Sequence, residues 1–113
     1  MRQDDAYLLD MLVAARKASM FVEGITYEQF VESDLHNNAV FKVLEVLGEA
    51  ASRISETTKD AHPEIPWLEI IGLRNRIVHA YFEIDLEVVW NIVNDDVPTL
   101  IRELEHIAPP DSQ

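Results

Sequence analysis

Apolar residues recur every three or four positions through most of the chain, and no segment of strand length alternates apolar with polar residues. The first pattern is typical of helices with one buried face, whereas alternation is typical of strands. The chain is therefore predicted to be all-α. We expect a single-domain bundle of four main helices and one short helix over residues 1–107, followed by a disordered tail at residues 108–113.

Local signals predict where the first two helices begin and end. Residues 4–23 form the first helix, with acidic residues near its positive end and Gly24 as the stop. A short helix over 27–32 follows, because Thr26 and Gln29 have the spacing of a capping box. The inward-facing positions of the first helix are predicted to be Leu8, Met11, Leu12, Ala15, Ala18 and Phe21.

The third helix is predicted to be the long central element, running from residue 35 to 57 with Asp34 as its cap. Its apolar stripe consists of Val40, Leu44, Leu47, Ala51 and Ile54. Residues 58–66 contain two prolines, one of them in a His-Pro pair, and are predicted to form a loop.

Two further helices complete the predicted bundle. The fourth begins near residue 66 or 67 and runs to about His79. Asp85 caps the last helix, which covers residues 86–106 and contains Pro98. Proline removes a backbone donor and clashes with the preceding turn, but the apolar spacing continues across it, so we expect a bend at Pro98 and not a break.

Composition restricts the class of protein. A chain of 113 residues is long enough for one hydrophobic core, and it has no cysteine for disulfides or thiolate metal sites. It shows neither a signal-peptide pattern nor an apolar run that could span a bilayer, so we expect a cytoplasmic protein without a membrane partner. The net charge of -12 repels nucleic acid at long range and argues against a general nucleic-acid binder.

The fourth helix carries the strongest candidate chemistry, in the stretch that runs from Arg74 to Tyr81. Arg74, Arg76 and His79 combine permanent cations that fork onto phosphate oxygens with an imidazole that titrates near neutral pH. Residues 70–82 contain no carboxylate, so we expect a positive local field. The combination indicates phosphodiester chemistry.

Helical geometry does not bring the side chains of Arg74 and His79 together. Arg74 and His79 differ in direction by about 140 degrees on an ideal helix, whereas Asn75 and His79 share a face. The chemistry therefore requires a long arginine reaching round, a change of backbone direction near Ala80, or a second copy of the motif from another subunit. Spacing alone leaves open a structural interpretation, in which the arginines pair with carboxylates, His79 stabilises the helix end and Tyr81 is a core-edge aromatic.

A metal site is the weaker alternative. Glu103 and His106 have the Glu-x-x-His spacing of di-iron helical bundles, but such sites need two of these motifs and two further carboxylates. The sequence has one copy, so we predict a solvated acidic face, with no metal and no cofactor.

The motif Arg74-x-x-x-x-His79-x-Tyr81 resembles the signature of the HEPN superfamily, and its surroundings resemble the HepT-like branch. The likeness covers nearly the whole chain. It includes the Gly-Glu-Ala-Ala run at 48–51, the proline loop at 62–67, the Gly-Leu-Arg-Asn lead-in at 72–75 and the Val-Val-Trp start of the last helix at 88–90.

This resemblance implies a HEPN-type helical bundle that forms a homodimer, with two copies of the motif lining a cleft. It also implies a metal-independent endoribonuclease that acts on RNA as a toxin. Members of the branch are encoded beside a minimal nucleotidyltransferase that serves as the antitoxin. That pairing would make the chain half of a toxin-antitoxin system.

The resemblance also assigns roles to individual residues. Arg74 would bind the scissile phosphate and His79 would be the general acid or base. Asn75 would orient the imidazole or hold a phosphate oxygen, and Arg76 would widen the basic patch or pair with a carboxylate. Tyr81 matches the tyrosine whose hydroxyl the partner enzyme modifies with AMP, adding negative charge where RNA phosphate binds.

Two rival functions come from other classes. In the first, the bundle is a non-catalytic module that presents nucleotide or substrate to a nucleotidyltransferase partner, and Arg74 and His79 bind phosphate without breaking bonds. In the second, the chain is a structural interaction protein, and substitution of Arg74 changes stability alone.

Overall fold

The structure, a computed structural model, describes residues 2–110, apart from the side chains of Arg2 and Tyr81. Within that range the chain is all-helical, which confirms the predicted fold class. Residues 108–110 are not helical, and the remainder of the predicted tail lies outside the described residues. The elements are α1 (Arg2–Phe21), α2 (Tyr27–Glu32), α3 (Asp34–Ser52), α4 (Glu56–Ala61), α5 (Trp67–Ala80), a 3-10 turn (Tyr81–Glu83), α6 (Leu86–Asn91), a π-helical turn (Ile92–Asp96) and α7 (Val97–Ile107).

The core lies around α1 and α3, which pack on each other, while α5 packs on the other side of α3 and α7 packs on α1. Five of the six inward positions predicted for α1 are buried. The exception is Phe21, which is half-buried, while its neighbour Val22 takes the core position. Phe30 of α2 is fully buried and packs against Trp90, with the ring centroids 5.3 Å apart, so the short helix is anchored to α6.

The predicted bounds of α2 are confirmed. At its start, the capping box between Thr26 and Gln29 forms in both directions. The cap assigned to α3 was wrong by one residue. The hydroxyl of Ser33, and not the carboxylate of Asp34, accepts the hydrogen bond from the backbone N–H of His36, at 3.2 Å.

The segment after α3 differs more from prediction. The third helix ends at Ser52 and does not reach residue 57, and part of the predicted loop is the helix α4. The new helix begins because Ser55 is its N-cap, with the Ser55 hydroxyl accepting from the Thr58 backbone N–H at 3.2 Å, and Ser55 is held in turn from far along the chain. The buried carboxylate of Asp4 accepts hydrogen bonds from the Ser55 hydroxyl at 2.6 Å, the Ser55 backbone N–H at 3.1 Å and the Thr58 hydroxyl at 2.6 Å. These bonds, led by the one from the Ser55 hydroxyl, lower the pKa of Asp4.

The last two predicted helices are present. α5 begins at Trp67, whose indole N–H donates to the carbonyl of His62 at 3.0 Å, and it ends at Ala80. The final helix does not break, but it passes through the π-helical turn, where the N–H of Val97 donates to the carbonyl of Ile92. Pro98 falls in the first turn of α7, directly after the π-helical turn. None of the helices within residues 2–110 is long and apolar enough to cross a bilayer.

Candidate active site on helix α5

Arg74 lies on the side of α5 that faces α3. It continues the buried stripe formed by Trp67, Ile70 and Ile77, and its side chain is 28% exposed. The two helices come close here because residue 48 is glycine. A Cβ at Gly48 would overlap the Cβ of Arg74 and lie 3.0 Å from the carbonyl oxygen of Ile70. The Gly48 position thus permits the helix contact that places Arg74.

The guanidinium of Arg74 is held at two points. Its Nη2 lies 2.8 Å from Oε1 of Glu49 on α3, and its Nη1 donates to Oδ1 of Asn75 at 2.9 Å. The other carboxylate oxygen of Glu49 accepts from Nε of Arg53 at 3.1 Å, so one glutamate serves two arginines. The Nε of Arg74 is buried and has no hydrogen-bond partner in the described part of the chain. The guanidinium is fixed in direction, while other N–H groups on Nη1 and Nη2 remain for a ligand.

This arrangement bears on two expectations. A carboxylate-free window along the sequence does not give a positive site, because Glu49 approaches from the neighbouring helix. The structural interpretation, in which the arginine pairs with a carboxylate, therefore holds for Arg74 within one chain. The side-chain oxygen of Asn75 accepts a hydrogen bond from Arg74, while its two expected roles, to orient His79 or to hold a phosphate oxygen, stay predictions.

Arg74 opens onto a groove of about 390 Å³ along α1 and α3. The groove has as many cationic as anionic side chains, which makes it mixed in charge. Its charged lining residues are Lys42, Arg53, Arg74, Asp10, Glu45 and Glu49.

His79 lies elsewhere on α5. It is exposed in the last turn of the helix, with no hydrogen bond or ion pair to any side chain that the structure describes. Because the helix is regular between the two residues, Arg74 and His79 point about 140 degrees apart and their Cα atoms are offset by about 7.5 Å along the axis. Arg74 does not reach round, since Glu49 holds it against α3, and the backbone changes only at residue 81, beyond His79.

The remaining candidate residues are also separated. Arg76 lines a different groove on the other side of α5, and the side chain of Tyr81 lies outside the described residues. Glu103 lines the same groove as Arg76. Across residues 2–110, no group of three or more histidine, aspartate or glutamate side chains is arranged to hold a metal ion.

A family model described as "Ribonuclease HepT-like" matches residues 11–107, which is most of the chain. The chain belongs to the HepT-like ribonuclease family. The HepT-like resemblance inferred from the residue motif is thereby confirmed, whereas the pairing with an antitoxin stays a prediction.

Relatives of this HepT-like chain also carry ribonuclease names. "Putative RNase MJ1380" of Methanocaldococcus jannaschii is 38% identical over 104 residues, covering 92% of this chain and 95% of that protein. "Probable ribonuclease HepT" of Thermococcus cleftensis is 36% identical over 106 residues, covering 94% and 96%. No solved structure matches the chain significantly.

Glu49 is the site residue that sequence reasoning missed in this HepT-like chain. Its pairing with Arg53, four residues along the same helix, is visible from spacing. Its contact with Arg74 is not, because that contact depends on how closely α3 and α5 pack. The signal that could have found it is the glycine at 48, which marks a close approach directly before Glu49.

Proposed function

We propose that the protein is an endoribonuclease in which Arg74 and His79, contributed by different subunits of a homodimer, act on one RNA phosphate. The observation that supports this most directly is the state of the two groups within one chain. The guanidinium is fixed in direction with N–H donors to spare, and the imidazole is exposed and uncommitted among the described side chains.

The proposed chemistry is a transesterification that needs no metal ion. His79 takes the proton of the ribose 2'-hydroxyl, whose oxygen attacks the phosphorus as the bond to the 5'-oxygen breaks, and a protonated imidazole returns a proton to that leaving oxygen. Arg74 donates hydrogen bonds to the phosphoryl oxygens, where negative charge increases in the transition state. The imidazole that takes the 2'-hydroxyl proton is the one that returns it, so one His79 and one Arg74 from different subunits are sufficient.

A second subunit is part of the proposal because the two groups diverge on α5. Two apolar side chains near His79 in the sequence are exposed: Val78 in the last turn of α5 is 39% exposed, and Phe82 in the following 3-10 turn is 77% exposed. Exposed apolar residues next to a candidate site favour burial against another protein surface. Sedimentation should show a dimer at micromolar concentration, and a purely monomeric chain would contradict this part of the proposal.

Glu49 acts in this scheme as a positioning residue for Arg74. A carboxylate on α3 fixes the guanidinium but also competes with the RNA phosphate for it. Glu49→Gln retains an oxygen acceptor and removes the charge, so we expect KM for RNA to fall while kcat falls or stays level. A rise in KM, with kcat unchanged, would assign Glu49 to RNA binding instead.

The decisive experiment is RNA cleavage by the purified chain with EDTA present and no added metal. We expect His79→Ala to lower the rate at least about 100-fold, which is the lower end of typical general acid-base contributions. His106→Ala is the matched control, since it removes another exposed histidine from a helix end. Equal cleavage by wild type and His79→Ala would refute the chemistry, and activity restored only by added Mg²⁺ would refute metal independence.

We further propose that the protein is a toxin whose antitoxin is a nucleotidyltransferase that attaches AMP to Tyr81. The negative charge and bulk of AMP, placed seven residues from Arg74, would oppose binding of the RNA phosphate. Intact mass after co-expression with such an enzyme should show added AMP on the wild type and none on Tyr81→Phe. Modification of both proteins at another residue would reject Tyr81 as the acceptor.

The non-catalytic module is the second candidate function, favoured by the divergence of Arg74 and His79 on α5. Phosphate binding, unlike cleavage, does not require both groups at one phosphorus. Titration with nucleotide and with RNA separates the candidates. Saturable nucleotide binding without RNA turnover at any protein concentration would favour the module.

A further inference from the structure

A groove lies on the side of α5 that faces away from Glu49. It has a volume of about 730 Å³ and runs between α5 and α7. α5 packs on α3 and α7 packs on α1, so the two helices leave a trough between them, and its floor is formed by Leu44 and Leu47 of α3. Its walls are mainly apolar and include Leu73, Ile92 and Leu100. None of these residues is used by the proposed ribonuclease chemistry.

The rim of this groove is acidic. Arg76 is the one cation among its lining residues, against four carboxylates on Glu64, Glu69, Asp96 and Glu103. Glu64 lies 3.5 Å from the ring of His62, and the other three have no ion pair with the side chains described. An apolar floor with an acidic rim is complementary to an apolar stripe flanked by lysine or arginine.

Gly72 on the α5 wall supplies an independent observation. A Cβ at this position would meet no atom of the described residues within 4 Å, so none of them requires glycine there. Glycine inside a helix is nevertheless unfavourable by about 0.5–1 kcal/mol relative to alanine. A residue without a side chain on a groove wall lets another backbone come close, as Gly48 does for α5 on the opposite side.

We infer that this groove is the docking site for a basic amphipathic helix of another protein. A second copy of this chain does not fit, because its net charge is -12 and its nine lysines and arginines are spread along the sequence and form no basic stripe. RNA does not fit either, because four carboxylates face it. The helix would insert apolar side chains at i, i+3, i+4 and i+7 over Leu73 and Leu100, with its cations at the rim.

The docked helix would also lie close to the proposed active site. Arg76 lines the groove, and His79 follows it by three residues, which is less than one helical turn. The inference does not depend on the ribonuclease proposal, since it rests on the lining, the rim charges and Gly72. The two can fail separately.

The test uses the full chain and three synthetic helical peptides of equal length, followed by fluorescence anisotropy at physiological salt. One peptide carries leucine at i, i+3, i+4 and i+7 with lysines flanking the stripe, the second replaces lysine by glutamate, and the third keeps lysine but replaces leucine by serine. We expect saturable binding of the first peptide alone. Equal binding of the third would show charge attraction without a groove and would overturn the inference.

Matched variants locate the site. Glu69→Gln combined with Glu103→Gln should weaken peptide binding about three- to tenfold, the range of two exposed ion pairs. The control, Glu28→Gln with Glu32→Gln, removes the same charge from α2 and should leave peptide binding unchanged. Gly72→Leu should abolish binding by filling the groove. If that variant misfolds by circular dichroism, Thr99→Lys on the α7 wall replaces it, with the same expected loss. Equal losses in the rim pair and the α2 pair would overturn the site.

RNA cleavage measured on the rim variant separates this inference from the proposed function. Glu69 and Glu103 take no part in the proposed chemistry, so the rim variant should cleave RNA at the wild-type rate while binding the peptide less tightly. If wild type cleaves RNA but ignores the basic peptide, the docking inference fails alone. If wild type binds the peptide but never cleaves, the ribonuclease proposal fails alone.

Discussion

The two sides of α5 are built in opposite ways. Towards α3 the helix is in tight contact, because Gly48 removes a side chain at the point where Arg74 must pack and Glu49 then holds the guanidinium. Towards α7 the helix is open, and Gly72 faces empty space. The two helical glycines thus differ: glycine at 48 is required by a neighbouring side chain, whereas at 72 no atom in residues 2–110 that the structure describes would contact an added Cβ.

The largest expected difference between the two sides is in activity. Arg74→Ala removes the group that binds the phosphoryl oxygens and should lower RNA cleavage at least about 100-fold, as loss of one such donor commonly does. Glu69→Gln, on the open side of the same helix, should leave cleavage unchanged. Both cleavage rates are measured on a single RNA under the same conditions. An equal loss of activity in the two variants would contradict the expected difference between the two sides of α5.

The next effect is on stability. Gly48→Ala places a methyl group against the side chain of Arg74, so α3 and α5 must separate, and we expect the free energy of unfolding to fall by about 1–3 kcal/mol. Urea unfolding followed by circular dichroism measures it. An unchanged or increased stability would mean that the helices separate freely and that the close contact does not position Arg74.

A third variant compares the pH dependence of stability at Asp4, on α1, with the steric effect at Gly48. Folding lowers the pKa of Asp4 from its ordinary value of 3.8, so its contribution is complete above that pH and is lost as pH falls below it. Asp4→Asn should therefore lower stability by about 1 kcal/mol at pH 7, and the difference from wild type should shrink towards pH 3. Unfolding curves at several pH values check this. The effect of Gly48→Ala should stay constant over the same range, because it is steric.

The smallest effect has the opposite sign. Gly72→Ala adds a methyl group in open space and removes the flexibility of glycine, so the free energy of unfolding should rise by about 0.5–1 kcal/mol. The same urea experiment measures it beside Gly48→Ala. A loss of stability at both positions would show that the groove side is packed in solution and would remove the contrast between the two faces.

Local signals in the sequence were sufficient for some elements. The capping box at Thr26 and Gln29 set the ends of α2, and the proline loop set the start of α5, because each signal lies within a few residues of its effect. The motif on α5 also led to the right family. Its two residues Arg74 and His79 lie where helical spacing puts them, on different faces, and their catalytic roles stay predictions.

Signals that cross the fold were missed. α4 has a local cap in Ser55, but the Asp4 carboxylate that binds Ser55 comes from 51 residues away, and no local pattern predicts that contact. The partner of Arg74 was missed for the same reason, because Glu49 belongs to another helix and the distance between the helices is set by Gly48. A stretch of sequence without carboxylates can still place an arginine beside a carboxylate from another helix.

The π-helical turn at Ile92–Asp96 determines which residues of the last helix face the core. The wider turn accommodates one residue more than a regular helix would, and this extra residue keeps Val89, Val93 and Val97 pointing at the core despite their uniform spacing of four. Deleting one residue from the exposed part of the turn would leave a regular α-helix. Because the wider turn absorbs the extra residue, the side chains after it would keep their direction, and Leu100 and Leu104 would stay in the interior.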